Sequence, residues 1–149
     1  MKNLDDVDLE ILRMLQKNAR VTLHEIASRI GKTPSSINYR LKRIMGLGVI
    51  KKFVTVLDKE KLGFKYDAII MIRVKPNKLD DLEKFLKNHG EVLMAYAITG
   101  IYDVCIITVF RDEDHYLKFV EELYESGCVT ETTTFVIVKQ IKEKYELPI

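Results

Sequence analysis

This 149-residue chain is poor in catalytic equipment: it has two cysteines, three histidines and no glycine-rich phosphate loop. Cys105 and Cys128 show no metal-ligand spacing and, in a reducing compartment, no disulfide framework. Cys105 falls in a hydrophobic stretch and reads as a small core residue, whereas Cys128 follows Gly127 and reads as the more exposed of the two. His24, His89 and His115 are scattered as surface or helix-end residues. Asp112-Glu113-Asp114-His115 could be imagined around a metal, but an acidic helix start explains it through capping and the helix dipole. No enzymatic activity, metal or cofactor is therefore expected. No run approaches the roughly 18 apolar residues of a membrane span, and no signal-peptide pattern opens the sequence. A cytoplasmic protein with no membrane partner is expected, and 47% hydrophobic with 31% charged residues suits a globular one.

The most informative absence is of negative charge. From Ile26 to Leu57 there is no acidic residue, while Arg29, Lys32, Arg40, Lys42, Arg43, Lys51 and Lys52 all fall there. Residues 1–60 hold 12 Lys/Arg against 7 Asp/Glu, and residues 61–149 hold 12 against 15, so a net +5 is joined to −3. A basic amino-terminal part beside a mildly acidic remainder implies a polyanion-binding module attached to something else.

What is present in that part is helical. Asp5 caps a first helix whose Val7, Ile11, Leu12, Met14 and Leu15 repeat at helical spacing to about Asn18. Thr22 and Glu25 form a capping-box pattern for a short second helix, with Leu23, Ile26, Ala27 and Ile30 inward and Gly31 as its stop. Thr33-Pro34 then opens a third helix, GKTPSSINYRLKRIMGLGVI, with a narrow apolar stripe of Ile37, Leu41 and Ile44. Its other side carries Ser35, Tyr39, Lys42 and Arg43, flanked by Ser36 and Asn38, with Arg40 nearer the apolar border. Two short helices around a glycine turn, completed by a preceding helix, make a helix-turn-helix, in which the second helix enters the major groove. Phosphate contacts are expected from Arg29, Lys42, Arg43, Lys51 and Lys52, and base reading from Ser35, Ser36, Asn38, Tyr39 and Arg40. Gly46 and Gly48 end the helix, and the β-branched residues from Val49 to Leu57 predict a strand serving as wing or linking arm.

Past a polar turn from Asp58 to Gly63, where the boundary between domains 1–60 and 61–149 is expected, the period changes to two. Tyr66, Ala68, Ile70, Ile72 and Val74 alternate along a strand, with Ile69 and Met71 on its other side. A helix follows with Leu79, Leu82, Phe85 and Leu86 inward, then strands from Val92 to Ile98 and from Val104 to Phe110. A second helix has Tyr116, Phe119, Val120 and Leu123 inward, and a last strand is expected from about Thr132 to Gln140. The order βαββαβ is that of a ferredoxin-like sheet with both helices on one face, making the whole chain α+β. The uncovered face is apolar too, and a second copy of the chain is its simplest cover, so a homodimer is expected. Between the middle strands, Thr99-Gly100-Ile101-Tyr102-Asp103 reads either as a small binding loop or as a hairpin turn whose aspartate accepts backbone N–H bonds.

Three segments together carry a resemblance: LDDVDLEILRMLQKNAR, GKTPSSINYRLKRIMGLGVI, and TGIYD followed by VTETTTF. In this order they resemble the leucine-responsive regulatory protein/asparagine-synthase regulator (Lrp/AsnC, or feast/famine) family of transcription regulators over nearly the whole chain. The resemblance implies a winged helix-turn-helix, a βαββαβ effector-response domain, and dimers, often assembled into octamers, on double-stranded DNA. It further implies an amino-acid effector between dimers, near Gly100, Tyr102 and Asp103 and near Thr132 and Thr134. One departure is Met45-Gly46, where the family usually has a charged pair before the glycine. The rival class is a stand-alone amino-acid sensor acting through protein partners, and strong salt-dependent duplex affinity counts against it.

Overall fold

The computed structural model describes residues 4–149. It contains two compact units: a first that runs to Val56 and also includes Lys142–Ile149, and a second from Leu57–Ile141. The expected boundary after residue 60 lies a few residues late, and the return of the chain end to the helical unit was not expected.

The helical unit is built from α1 (Asp6–Lys17), α2 (Leu23–Ile30) and α3 (Pro34–Gly46). Each start is fixed locally. The Asp5 carboxylate accepts the Asp8 N–H while Asp8 accepts the Asp5 N–H, and Thr22 and Glu25 repeat that reciprocal box on α2. The Thr33 hydroxyl accepts the Ser36 N–H at 3.3 Å, with Pro34 in the first turn, where its missing donor costs nothing. Gly31, at φ 70°, turns α2 into α3 in the left-handed conformation that a side chain would strain. Ile11, Leu12, Leu15, Ile26, Ala27, Ile37 and Ile44 form the core, each large side chain contributing about 1.5–3 kcal/mol of burial. The chain end lies along α1. The Gln16 amide donates to the Leu147 carbonyl (3.3 Å) and accepts the Leu147 N–H (2.5 Å), and Arg13 Nε donates to the Ile149 carbonyl (2.8 Å).

The strand expected from Val49 to Leu57 is not formed. Residues 50–57 belong to no ladder, and Phe53, Val54, Val56 and Leu57 are exposed. β-Branched residues favour a pleated surface, but a strand exists only where a second strand takes up its backbone groups.

The second unit runs β1 (Tyr66–Val74), α4 (Leu79–Lys87), β2 (Val92–Ala97), β3 (Val104–Phe110), α5 (Glu113–Glu125) and β4 (Val129–Val136). The sheet is antiparallel in the order β2-β3-β1-β4. Ala68, Ile70 and Ile72 of β1 pair with Thr108, Ile106 and Val104 of β3, and these side chains pack under Leu82, Leu86, Phe119 and Leu123. The buried Thr108 hydroxyl donates to the Ala68 carbonyl, so no polar group is stranded there. The alternate residues Ile69, Met71, Cys105 and Ile107 fall on the opposite face, half-buried.

Two expectations shift. β4 starts at Val129 and stops at Val136, three residues before and four before the expected ends. Its neighbour β1 sets both limits, since Val129 pairs with Val74 and Val136 with Ala68, and only the Ile137 N–H continues, to the Asp67 carbonyl. The earlier start also places Cys128 in the core rather than in an exposed loop, while Cys105 is only half-buried.

Candidate DNA-binding surface and effector site

The outer face of α3 is ordered by its cap. Ser35 shares a 3.2 Å hydrogen bond with the Thr33 hydroxyl at the helix start, and Ser36 and Asn38 are half-exposed beside it. Tyr39 stands out, 71% exposed one turn further on, with Lys42 exposed next to it. These side chains offer hydroxyl, amide, phenol and ammonium groups on a rod narrow enough for a major groove.

The basic residues of the acid-free window divide into two sets. Arg40 is turned onto α1, held by Asp5 at 2.7 Å and Asp8 at 2.9 Å and only 24% exposed, and Arg43 pairs with Asp8. The guanidinium of Arg40 keeps the Asp5 carboxyl below the ordinary carboxylate range, and both aspartates raise Arg40 in turn. Arg40, expected among the base-reading residues, is thus drawn toward α1 and away from the outer face of α3, because carboxylates from the start of another helix reach it. Arg43 is likewise committed. Arg29 meets Glu10 loosely, at 3.9 Å with both side chains exposed. Among the described residues Lys42, Lys51 and Lys52 form no ion pair, and neither does Lys32, which the sequence reading left out of the site although it lies in the acid-free window.

In the second unit the loop from Gly100 to Asp103 is tightly tied. Gly100 takes φ 133°, a conformation side chains rarely adopt. Asp103 accepts the Val74 N–H at 2.8 Å, its own N–H donates to the Ile72 carbonyl, and its carbonyl accepts from Ile98. Arg73 Nε donates to the Ile101 carbonyl, and its guanidinium lies 5.9 Å from the Tyr102 ring centre and 3.4 Å from Glu131. Tyr102 shares a 2.6 Å hydrogen bond with the hydroxyl of Thr133, not of Thr132 or Thr134. Strand parity explains this: Thr133 pairs with Met71, on the open face, whereas Thr132 and Thr134 pair with the buried Ile72 and Ile70. Thr132 accordingly bonds Tyr124 and Thr134 bonds Tyr116, both tyrosines of α5. Gly100, Tyr102 and Asp103 are brought together with Arg73, Glu131 and Thr133, and the two expected threonines face the helices. Arg73 and Glu131 lie outside the segments expected at the site, and only the register shows that they and Thr133 border the loop.

An open groove of about 530 Å³ between α4 and β2, lined by Leu79, Leu82, Leu86, Met94 and Tyr96, contains none of the expected effector residues. His89 bridges the Phe85 carbonyl and Glu122, and His115 pairs with Glu91. No group of three metal-binding side chains occurs among the described residues.

Residues 4–51 match the family model of a winged helix-turn-helix DNA-binding domain, and residues 67–147 match that of the Lrp/AsnC ligand binding domain. The chain belongs to the Lrp/AsnC family. It is 35% identical to the HTH-type transcriptional regulator FL11 of Pyrococcus furiosus, across 98% of this chain and 97% of that one. It is 31% identical to the HTH-type transcriptional regulator Ptr1 of Methanocaldococcus jannaschii, across 98% and 99%. Among solved structures, a transcriptional regulator of Neisseria meningitidis in complex with L-Met is similar with a TM-score of 0.94 and 28% identity, covering 98% and 97% of the two chains. This Lrp/AsnC protein is therefore a DNA-binding transcription regulator with a ligand-binding domain, not an enzyme. No helix among the described residues is long and apolar enough to cross a membrane.

Proposed function

We propose that this regulator reads double-stranded DNA with the exposed face of α3. Ser35, Ser36, Asn38 and Tyr39 address base edges, while Lys42, Lys51, Lys52 and Arg29, joined by the unpaired Lys32, hold phosphates. The observation that carries this reading is the exposed Tyr39, set among short polar side chains and beside the unpaired Lys42 on a capped helix. Aromatic and hydroxyl groups give direction, and lysine gives sequence-independent attraction.

The second unit is proposed to take an amino acid at the loop of Gly100, Tyr102 and Asp103, with Thr132 and Thr134 shaping the strand behind it. The match to an Lrp/AsnC ligand binding domain and the L-Met complex of the Neisseria relative support that ligand class. The half-buried open face of Ile69, Met71 and Ile107, continued by the exposed Phe135, supports a homodimer through the sheets, from which octamers can build. The regulator acts in the cytoplasm, where its DNA is.

The test is selection from a randomised duplex pool by the purified protein, with and without mixed amino acids including L-methionine. A two-fold related motif that changes or weakens with amino acids is the expected outcome. Tyr39→Ala should alter the preferred sequence, whereas Lys52→Ala should weaken all duplexes alike. Should both variants weaken every duplex equally, the assigned reading face is wrong.

A further inference from the structure

Asp8 is a carboxylate with no solvent exposure in a small helical unit, an expensive placement that helix capping alone does not require, since exposed caps serve as well. Both of its oxygens are engaged, by three donors in all. One oxygen accepts Arg40 at 2.9 Å, and the other accepts Arg43 and the Asp5 backbone N–H at 3.0 Å. Asp5 takes the same Arg40 nitrogen on both of its oxygens, at 2.7 and 2.9 Å. The two arginines stand about one helical turn apart on α3, Arg40 at the border of the apolar stripe and Arg43 further toward the outer side. The start of α1 therefore clamps one edge of the helix taken to enter the groove.

We propose that Asp8, assisted by Asp5, is a positioning residue for sequence recognition. It fixes the roll of α3 and withdraws Arg40 and Arg43 from the DNA, leaving the face to Ser35, Ser36, Asn38, Tyr39 and Lys42. Free arginines beside that face would bond any phosphate within reach, or any guanine, raising affinity for every sequence and so narrowing the margin for the right one. A well-packed apolar residue would serve stability as well as a buried ion pair does, so stability does not explain the carboxylate. The inference rests on the reading of α3 given above.

The experiment measures affinity for the selected duplex and for a scrambled one across a salt series. Asp8→Asn keeps the size of the side chain and removes the charge. For each arginine it releases, the salt dependence of scrambled-duplex binding should steepen by about 0.9 per DNA-binding unit, and the ratio of selected to scrambled affinity should fall. A variant that only melts earlier, or that loses affinity for both duplexes at unchanged salt dependence, overturns the proposal. Arg43→Gln covers the case in which Asp8→Asn does not fold. Its salt dependence should match that of the unmodified protein, because Arg43 is held off the phosphates. A flattening by about 0.9 would put Arg43 on the backbone and overturn the proposal as surely. Failure of the underlying reading shows earlier and separately, as an unmodified protein with no preference between the two duplexes, and the proposal falls with it.

Discussion

The salt dependence of DNA binding follows from which cations the fold leaves unpaired. Within the acid-free window Lys32, Lys42, Lys51 and Lys52 make no ion pair among the described residues, and Arg29 is held only by an exposed contact at 3.9 Å. Five phosphate contacts give a slope of log affinity against log salt of about −4.5 per DNA-binding unit, at roughly 0.9 per contact. Raising salt fourfold should then weaken binding about 500-fold per unit, against about 6000-fold if all seven bases of the acid-free window met phosphates. A dimer engaging both units squares either figure. Replacing both Lys51 and Lys52 by alanine should bring the slope to about −2.7 and the fourfold-salt loss to about 40-fold. Fluorescence anisotropy on a labelled duplex, titrated at several chloride concentrations, reads both quantities directly. Neither lysine helps hold the helical core, so the variant should melt with the parent. If it bound more weakly at the parent's slope, these lysines would not neutralise phosphates, and the connecting segment after α3 would lie off the DNA.

Ile37→Ala removes a fully buried side chain from the core of the helical unit and should cost about 2–5 kcal/mol, read as a lower denaturation midpoint in circular dichroism. Glu25 is held below the ordinary carboxylate range by the backbone N–H and hydroxyl of Thr22. Its folded pKa is thus depressed, so its contribution is complete above the ordinary glutamate value and disappears as pH falls through the lower folded one. Glu25→Gln should accordingly destabilise α2 at neutral pH and make no difference at the acid end, where an equal deficit at both pH values would contradict the capping role. Tyr102→Phe breaks the bond to Thr133 and should cost about 0.5–1.5 kcal/mol in the sheet unit, measured by chemical denaturation. If that tyrosine also faces the proposed effector, the same variant should weaken binding of whichever amino acid shifts the selected motif, measured by calorimetry, whereas Thr132→Val, which alters a side chain tied to α5, should affect binding less.

These expectations separate what short stretches of sequence carry from what only pairing supplies. The caps of α1, α2 and α3 were legible because each is a conversation among residues three apart, Asp5 with Asp8, Thr22 with Glu25, Thr33 with Ser36. The alternation of β1 was equally plain, since a strand buried on one face shows its period without reference to its neighbours. Charge counting found the basic window but not its division, because the carboxylate that takes Arg40 and Arg43 lies more than thirty residues earlier in the chain. The segment after Val49 has strand-forming side chains and no ladder, for an edge of hydrogen-bonding groups is the one thing that composition cannot encode. The threonines of β4 are the sharpest case. Three in a row give no alternation to read, so nothing local says which of them faces α5 and which faces Tyr102. That choice belongs to the pairing of β4 with β1, where Thr133 lies opposite Met71. A slip of one residue in that register would turn Thr132 and Thr134 toward the open face and Thr133 toward the core. At the proposed effector loop the side chains presented are therefore a matter of strand register as much as of residue identity, and the bulge between Arg73 and Val74, next to the loop, sits where that register is set.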